Sequence, residues 1–401
     1  MPLMLAPLPY AAALEWLFAR TRAGDERSRA RSIALLALLG HPDRFFNSVH
    51  VLGTNGKGSV SAMLNAGLQR SGSRVGLFTS PHLIDFRERI AVGGELIPEA
   101  TVLEFVDWAR VHASGAAFFD LSFVMAMQHL ANSNVTWGVV EAGVGGANDA
   151  SNALSEVALT VLTNVDYDHE AVIGVGPEDS ILKNIALEKA GAIRAGVTVV
   201  TAAKGEGLEV IRRVALEREA DLYELGLEQP LFSLPKAPKL KGVHQLENAR
   251  VAVAALRLLG QDEAAVLAAL EATWPGRLEV FKRGHQQVWL DGAHNPAGAL
   301  ALAMSLTGRF TLLFGAMERK NVPALLEPLL PLCDSLHFVS PGALGADPNG
   351  LAARFGGIAH DSLETALKVT LEADARVLIA GSLYLIGAAS AQLLEAGFSA
   401  E

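Results

Sequence analysis

Short apolar runs alternate along this chain with longer Ala/Leu-rich stretches whose polar positions recur at helical spacing. Residues 48–53, 74–80, 137–142, 158–165 and 197–202 read as strands. Residues 60–70, 101–112, 121–131 and 183–190 read as the helices between them. That alternation predicts a parallel sheet covered by helices on both faces. Residues 89–97, with Gly93-Gly94 at their middle, read as an exposed hairpin, and the proline- and lysine-rich residues 229–242 as a surface loop before a helix over 245–259. Proline and glycine in Trp274-Pro275-Gly276-Arg277 interrupt the helical pattern, which divides the chain into 1–274 and 275–401. Beyond the boundary, apolar runs at 288–290, 310–314, 336–339 and 377–380 again alternate with helices. The expected fold is α/β: an N-terminal P-loop mononucleotide-binding domain with a parallel sheet, plus a smaller C-terminal Rossmann-like α/β domain.

Composition narrows the chemistry. The chain has 401 residues, half of them hydrophobic, enough for two cores. A formal net charge of −10 argues against a nucleic-acid partner, although a local site can still attract anions. Cys333 is the only cysteine, so no intrachain disulfide forms. The N-terminal 20 residues carry Pro2, Pro7, Pro9 and Glu15 and lack a basic start, a poor secretion signal. No apolar run approaches the roughly 20 residues a membrane span needs. A cytoplasmic protein without a membrane or nucleic-acid partner is expected.

The most informative residues are Gly53-Thr54-Asn55-Gly56-Lys57-Gly58-Ser59, between a strand and a helix. Inward-facing N–H groups, a helix N-terminus and one lysine make a phosphate cradle. The spelling departs from the usual P-loop, because an outer glycine is missing and Gly58 stands where Ser or Thr follows the lysine. A plain strand-to-helix turn would explain the glycines, but not a lysine held in such a turn without an anion.

In open parallel sheets, ligands sit beyond the carboxyl ends of the strands. Here one strand ends in Ser80-Pro81-His82, another in Glu141 before Gly143-Val144-Gly145-Gly146, and a third in Asp166-Tyr167-Asp168-His169. If these strands neighbour the phosphate loop, then Ser80, Glu141 and His169 converge there, a donor set that suits Mg²⁺. Separately, Ser80 reads as a turn residue and His169 as a loop residue. The second domain repeats the arrangement in Asp291-Gly292-Ala293-His294-Asn295-Pro296. Helix capping would explain Asp291 or Asn295 singly, but not Asp and His in one short turn.

These spellings together resemble the folylpolyglutamate synthase/dihydrofolate synthase family of the Mur ligase superfamily. The resemblance rests on the 53–59 loop, Thr79-Ser80-Pro81-His82-Leu83 with Glu88-Arg89-Ile90, and Glu141-Ala142-Gly143-Val144-Gly145-Gly146. It continues through Asp168-His169, Glu188-Lys189-Ala190-Gly191, His244-Gln245 with Asn248-Ala249, Pro275-Gly276-Arg277 and the Asp291–Pro296 motif, in family order over nearly the whole chain. It implies that Thr54, Asn55, Gly56, Lys57, Gly58 and Ser59 hold ATP phosphates, with Asn248, Arg277 and Asp291 as further ATP contacts. Ser80, Glu141 and His169 would ligate Mg²⁺. Lys189 matches a lysine the family carries as a carbamate; without the resemblance it reads as an ordinary helix charge. Lys57, Lys189 and His294 become the catalytic candidates, His294 standing near the glutamate and the acyl phosphate. Phe118, Phe119 and Asp120 together with Asn148, Asp149 and Ala150 fall where the family contacts the pterin-bearing substrate. A monovalent cation is a further expected cofactor, and the monomer the expected state.

The chain departs from the family at Ala147-Asn148-Asp149-Ala150-Ser151-Asn152, where Arg-Leu-Asp-Ala-Thr-Asn is usual, and at Ala117, where Ser or Thr is common. The expected activity is ATP-dependent amide ligation through an acyl phosphate, joining L-glutamate to a folate or to dihydropteroate. Domain closure would order the steps. Competing readings are a Mur-type ligase acting on another carboxylate, a small-molecule kinase and a non-catalytic nucleotide switch. A cell-wall Mur ligase would want a uridine-binding domain ahead of the loop, and a kinase has no need of a second Asp/His-bearing unit.

Overall fold

The order of strands at the centre of the first sheet decides what surrounds the 53–59 loop. In a computed structural model of the chain, which describes residues 8–20, 28–227, 230–373 and 376–401, that sheet contains β1 (Asn47–Leu52), β2 (Val75–Phe78), β3 (Ile90–Val92), β4 (Glu95–Leu96), β5 (Trp137–Glu141), β6 (Val157–Leu162), β7 (Thr198–Thr201) and β8 (Leu222–Glu224). Its order is β4-β3-β2-β5-β1-β6-β7-β8. The strands from β2 to β8 run parallel, while β3 and β4 add an antiparallel edge. β1 is central, and its last five residues are buried, as expected of a parallel strand covered on both faces.

The apolar patterning accounts for the packing. One core joins Phe78 and Val140 of the sheet to Phe105 and to Leu121, Phe123 and Met127 from helices Glu99–His112 and Phe118–Asn132. Another joins Leu52, Leu162 and Val199 to Ala186, Ile211 and Val214 from helices Ile181–Ala190 and Gly205–Glu217. Small residues set the close approach of helix Lys57–Arg70 to helices His244–Leu258 and Glu263–Leu270. A Cβ on Gly67 would lie 2.6 Å from the Leu256 side chain and 3.1 Å from the Ala265 carbonyl oxygen. Caps fit the termini: Ser180 accepts from the Lys183 N–H, and Asp262 from the Ala265 N–H.

The second sheet contains β9 (Glu279–Arg283), β10 (Gln286–Leu290), β11 (Phe310–Phe314), β12 (Cys333–Val339), β13 (Ile358–His360), β14 (Arg376–Ala380) and β15 (Ser399–Ala400), in the order β13-β12-β11-β14-β10-β9-β15. β13 through β10 are parallel, and β9 and β15 are antiparallel additions. Its core runs through Phe310, Leu312, Phe314, Phe338 and Leu378. By internal contacts the chain divides into Met1–Pro238 with Glu247–Ala272, and Lys239–Leu246 with Thr273–Glu401.

Two α/β units with mostly parallel sheets therefore match the expected fold class. The hairpin at 89–97 differs from its expectation. Gly93 and Gly94 turn with φ of 62° and 92° at an exposed tip, but Ile90 and Val92 are buried because β3 pairs with β2. Residues 1–7 of the N-terminal stretch and Gln229 of the surface loop lie outside the described residues. Among the described residues no helix is long and apolar enough to cross a membrane.

Patterning also gives no hint of a histidine pair on β12 and β13. His337 Nδ1 and His360 Nε2 are 2.9 Å apart, and the rings stack at 12° with centroids 5.1 Å apart. Both side chains are buried. Burial lowers the pKa of each; the neighbouring His360 lowers His337 further, while Asp361 partly opposes the fall at His360. The unfolded chain therefore takes up these protons first, and the stability contribution is lost as pH drops below the ordinary histidine value of about 6.5. Thermal melts between pH 7.5 and 5.5 should show Tm falling with pH, and His360→Gln should flatten that dependence; identical slopes in both proteins would contradict it.

Candidate active site

β1 runs into a turn that only glycine can make. Gly53 and Gly56 have φ of 141° and 85°, a region open to glycine without a Cβ penalty. A Cβ on Gly53 would lie 1.8 Å from Thr163 Oγ1, and one on Gly56 2.2 Å from Asn248 Oδ1. The end of β6 braces the loop. Thr54 N–H donates to the Asn164 carbonyl at 3.0 Å, and Asn55 N–H to Asn164 Oδ1 at 2.8 Å. Thr163 Oγ1 donates to the Asn55 carbonyl, and Thr54 Oγ1 both donates to the Asp166 carbonyl at 3.1 Å and accepts from its N–H at 3.0 Å. Gly56 then caps helix Lys57–Arg70, with Gly58 and Ser59 buried in its first turn.

Two amines meet at the loop. Lys57 Nζ donates to the Gly53 and Thr54 carbonyls at 3.2 and 3.3 Å. Lys189 Nζ, from the last turn of helix Ile181–Ala190, donates to the same Gly53 carbonyl at 2.9 Å. Lys189 is only 4% exposed. Burial, and then the nearby Lys57 charge, bring its pKa down to about 7, with Asp168, Asp149 and Glu188 opposing. Near neutral pH a large share of this buried amine is uncharged.

Parallel register supplies the carboxylate. Val51 of β1 is paired with Glu141 of β5, so this buried carboxylate stands beside the loop. Glu141 Oε2 accepts the Ser80 N–H at 3.1 Å from the end of β2. His169 begins helix Glu170–Ile173 with φ 52°, its Nε2 3.8 Å from Asp168 Oδ2. Asn248 completes the surroundings of Gly56 from helix His244–Leu258.

A divalent ion can be weighed against these donors. Among the described residues, no three His, Cys, Asp or Glu side chains group closely enough to hold a metal by themselves. Mg²⁺ fits what is present, since it takes one or two carboxylates and completes its shell with phosphate oxygens and water. Glu141 is such a carboxylate, with Ser80 joined to it through the backbone N–H.

The residues assigned to the pterin substrate divide by what they do. Phe118 opens helix Phe118–Asn132 within an aromatic group, its ring 5.5 Å from Phe18 and 6.2 Å from Phe86. The Arg89 guanidinium lies 5.0 Å from the Phe118 centroid and donates to His82 Nδ1 at 2.7 Å. Phe119 packs on Phe78 and occupies the space a Cβ on Gly143 would need. Asp120 is buried in structural work: it pairs with Arg31 and accepts from Ser32 Oγ at 3.1 Å and the Ala117 N–H at 3.2 Å. That last bond closes the helix start where Ala117 has no hydroxyl to offer.

Asp149 is likewise committed, accepting from the Val144 and Ser151 N–H groups at 2.9 and 3.0 Å and from Ser151 Oγ. Burial raises its pKa against those bonds. Ala150 lies in the core. Asn148 is exposed and its N–H donates to Glu188 Oε1 at 3.2 Å.

In the second unit, Asp291 at the end of β10 accepts from the Leu278 and Ala293 N–H groups, each at 2.9 Å. This holds the 276–278 turn against the 291–293 turn. Arg277 Nη1 donates to the Gly276 carbonyl at 3.1 Å, and a Cβ on Gly292 would lie 2.4 Å from it. His294 Nδ1 lies 2.8 Å from the Gly292 carbonyl oxygen. A carbonyl only accepts, so Nδ1 carries a proton.

Sequence reasoning passed over Thr163 and Asn164, which hold the phosphate loop, although both precede the Asp166–His169 ending it singled out. It also passed over Phe18 and the buried His50, whose Nε2 lies 2.8 Å from Ser151 Oγ and whose pKa is lowered to about 3 by burial and by Arg194. A histidine in the middle of a central strand was the available signal.

The Mur ligase glutamate ligase domain matches residues 276–383. The dihydrofolate synthase/folylpolyglutamate synthase of Bacillus subtilis is 32% identical over 372 residues, 82% of this chain and 85% of that protein. The folylpolyglutamate synthase of Lacticaseibacillus casei is 30% identical over 420 residues, 93% of this chain and 95% of that one. Among solved structures, the folylpolyglutamate synthase of Mycobacterium tuberculosis complexed with ADP matches with a TM-score of 0.84 and 28% identity, covering 96% of this chain and 99% of that one.

The loop geometry carries a direct consequence. Gly56→Ala should weaken ADP binding at least ~10-fold, since the added Cβ must displace Asn248 and strain a left-handed backbone. Calorimetric titration checks this, with Gly72→Ala as control, because that exposed glycine also has positive φ (82°) but open space around it. Equal ADP affinity in the two variants would contradict the close approach at Gly56.

Proposed function

The chain belongs to the folylpolyglutamate synthase/dihydrofolate synthase family, and from that premise we propose that it joins L-glutamate both to dihydropteroate and to tetrahydrofolate. The enzyme is an ATP-dependent carboxylate–amine ligase. The acceptor carboxylate attacks the γ-phosphorus of ATP, forming an acyl phosphate and releasing ADP. The glutamate amine then attacks the acyl carbon, the amide forms and inorganic phosphate leaves. The observation that most supports this reading is the braced, lysine-bearing loop with a buried carboxylate beside it in strand register.

The residue roles follow from their surroundings. N–H groups from Gly56 to Ser59 cradle phosphate, while Thr54 and Asn55, whose N–H groups are held by Asn164, shape the loop. The Lys57 ammonium turns from the loop's own carbonyls to phosphate oxygens, offsetting charge that moves during transfer. Glu141, Ser80 and His169 would hold Mg²⁺, which when bound would screen repulsion between the carboxylate and the triphosphate. Asn248, Arg277 and Asp291 are assigned to ATP through their places in the family motifs. His294 is assigned, through its place in the Asp291–Pro296 motif, to accept a proton from the glutamate ammonium.

Lys189 is proposed as the carbamate. Its neutral nitrogen attacks CO₂, loses one proton and becomes an anion beside Lys57. Burial disfavours the ammonium form and so supports the amine that this step requires. Phe118, Phe119 and the 148–150 turn are proposed to face the pterin, with Asp120 and Asp149 positioning those elements through the bonds described above. A bifunctional specificity is favoured by Ser80-Pro81-His82-Leu83.

Purified protein with ATP, Mg²⁺ and glutamate should release phosphate and form product with each pterin assayed separately. No product from either would remove the proposal; product from one alone would restrict it to that activity. Lys57→Ala should lower kcat on the order of 10²-fold or more, and full activity would remove its role. With ¹³C-bicarbonate, a carbamate signal should appear above pH 7, fade below it as Lys189 takes up its proton, and be missing in Lys189→Ala. A signal that persists in that variant would place the modification elsewhere.

A further inference from the structure

Glu188 and Lys189 are consecutive residues that hold different loops. Lys189 reaches back to the Gly53 carbonyl of the phosphate loop. Glu188 fastens the glycine-rich 143–149 loop at three points. Its carbonyl accepts the Ala147 N–H at 2.7 Å, its Oε1 accepts the Asn148 N–H at 3.2 Å, and its Oε2 accepts from Asn148 Nδ2 at 3.4 Å. The contact is close-packed. A Cβ on Gly146 would lie 2.6 Å from the Lys189 carbonyl oxygen and 2.9 Å from that of Glu188, and one on Gly191 2.6 Å from Ala147 Cβ.

A loop with glycines at 143, 145 and 146, and Gly145 at φ 83°, has much conformational freedom to lose on ordering. Asp149 supplies its internal bonds to Val144 and Ser151, while Glu188 ties it to the helix. Whatever orders the loop therefore also steadies the last turn that aims Lys189, and the reverse holds. Two ligands that each need this unit ordered share one ordering cost, and each then favours the other.

We propose that Glu188 is a positioning residue that links acceptor binding to nucleotide binding, by clasping the 147–148 turn to the helix end that carries Lys189. This rests on the reading above that the 148–150 turn faces the pterin substrate. By linkage, the factor by which dihydropteroate tightens ADP equals the factor by which ADP tightens dihydropteroate. Residues that merely stabilise the fold have no reason to alter that factor.

The test is calorimetric titration of the full chain with ADP, with and without saturating dihydropteroate. Wild type is expected to bind ADP about 10-fold more tightly when dihydropteroate is present, within the usual range of such linkage. In Glu188→Ala the factor should fall toward one, while ADP alone binds within about twofold of wild type. Glu188→Gln should lie between, because its remaining carbonyl oxygen still accepts one N–H, and it serves should the alanine variant not fold. A wild-type factor of one overturns the proposal, as does an unchanged factor in both variants or an equal loss of ADP affinity with and without dihydropteroate. Wild type that does not bind dihydropteroate at all overturns the substrate reading as well, a signal distinct from binding without linkage.

Discussion

A buried amine bonded to one carbonyl organises the nucleotide end of this protein. Gly53 presents its oxygen to Lys189 Nζ at 2.9 Å and to Lys57 Nζ at 3.2 Å. Burial makes charging the deeper amine costly, and the second amine on the same acceptor adds to that cost, so Lys189 loses proton affinity. Much else depends on this contact. It fixes where the helix Ile181–Ala190 ends relative to the phosphate loop, and that helix end in turn holds the 143–149 loop. The phosphate loop and the 143–149 loop are thus held by one short piece of backbone.

Most carboxylates with an expected chemical role also hold backbone in place within their own unit. Glu141 accepts the Ser80 N–H, Asp149 caps its own turn, Asp291 joins two turns of the second unit, and Asp120 closes a helix start. This has a physical reason. A buried carboxylate needs several donors to remain charged, and the cheapest donors near strand ends are backbone N–H groups left without ladder partners. Catalytic and architectural roles therefore fall on the same atoms. Removing such a residue disturbs the site's shape along with its charge, which limits what a simple alanine scan can apportion.

The aromatic group near Phe118 follows a different logic. Phe18, Phe86 and Phe118 form an apolar wall, with the His82 ring 6.0 Å from Phe18 and fixed by Arg89. Because the Arg89 N–H can only donate, His82 Nδ1 accepts and the ring carries its proton at Nε2. Phe18 comes from an N-terminal helix that contains none of the recognised motifs.

Alternating apolar runs placed the central strands to within a few residues, because strands buried on both faces read as unbroken hydrophobic segments. β3, buried through its pairing with β2, was expected at the surface because two adjacent glycines signal only its tip. Local spelling identified the phosphate loop, since a left-handed Gly56 before a lysine is a short-range requirement. It also singled out Ser80, Glu141 and His169 as chemically loaded, whereas Lys189 stood out only through the family resemblance. Sequence alone could not reveal that Val51 stands opposite Glu141, that Lys189 reaches Gly53 across 136 positions, or that Asp120 and Asp149 spend their oxygens on backbone. Those outcomes depend on strand order and on which donors remain unpaired after the sheet has formed, and only the packed tertiary structure sets either.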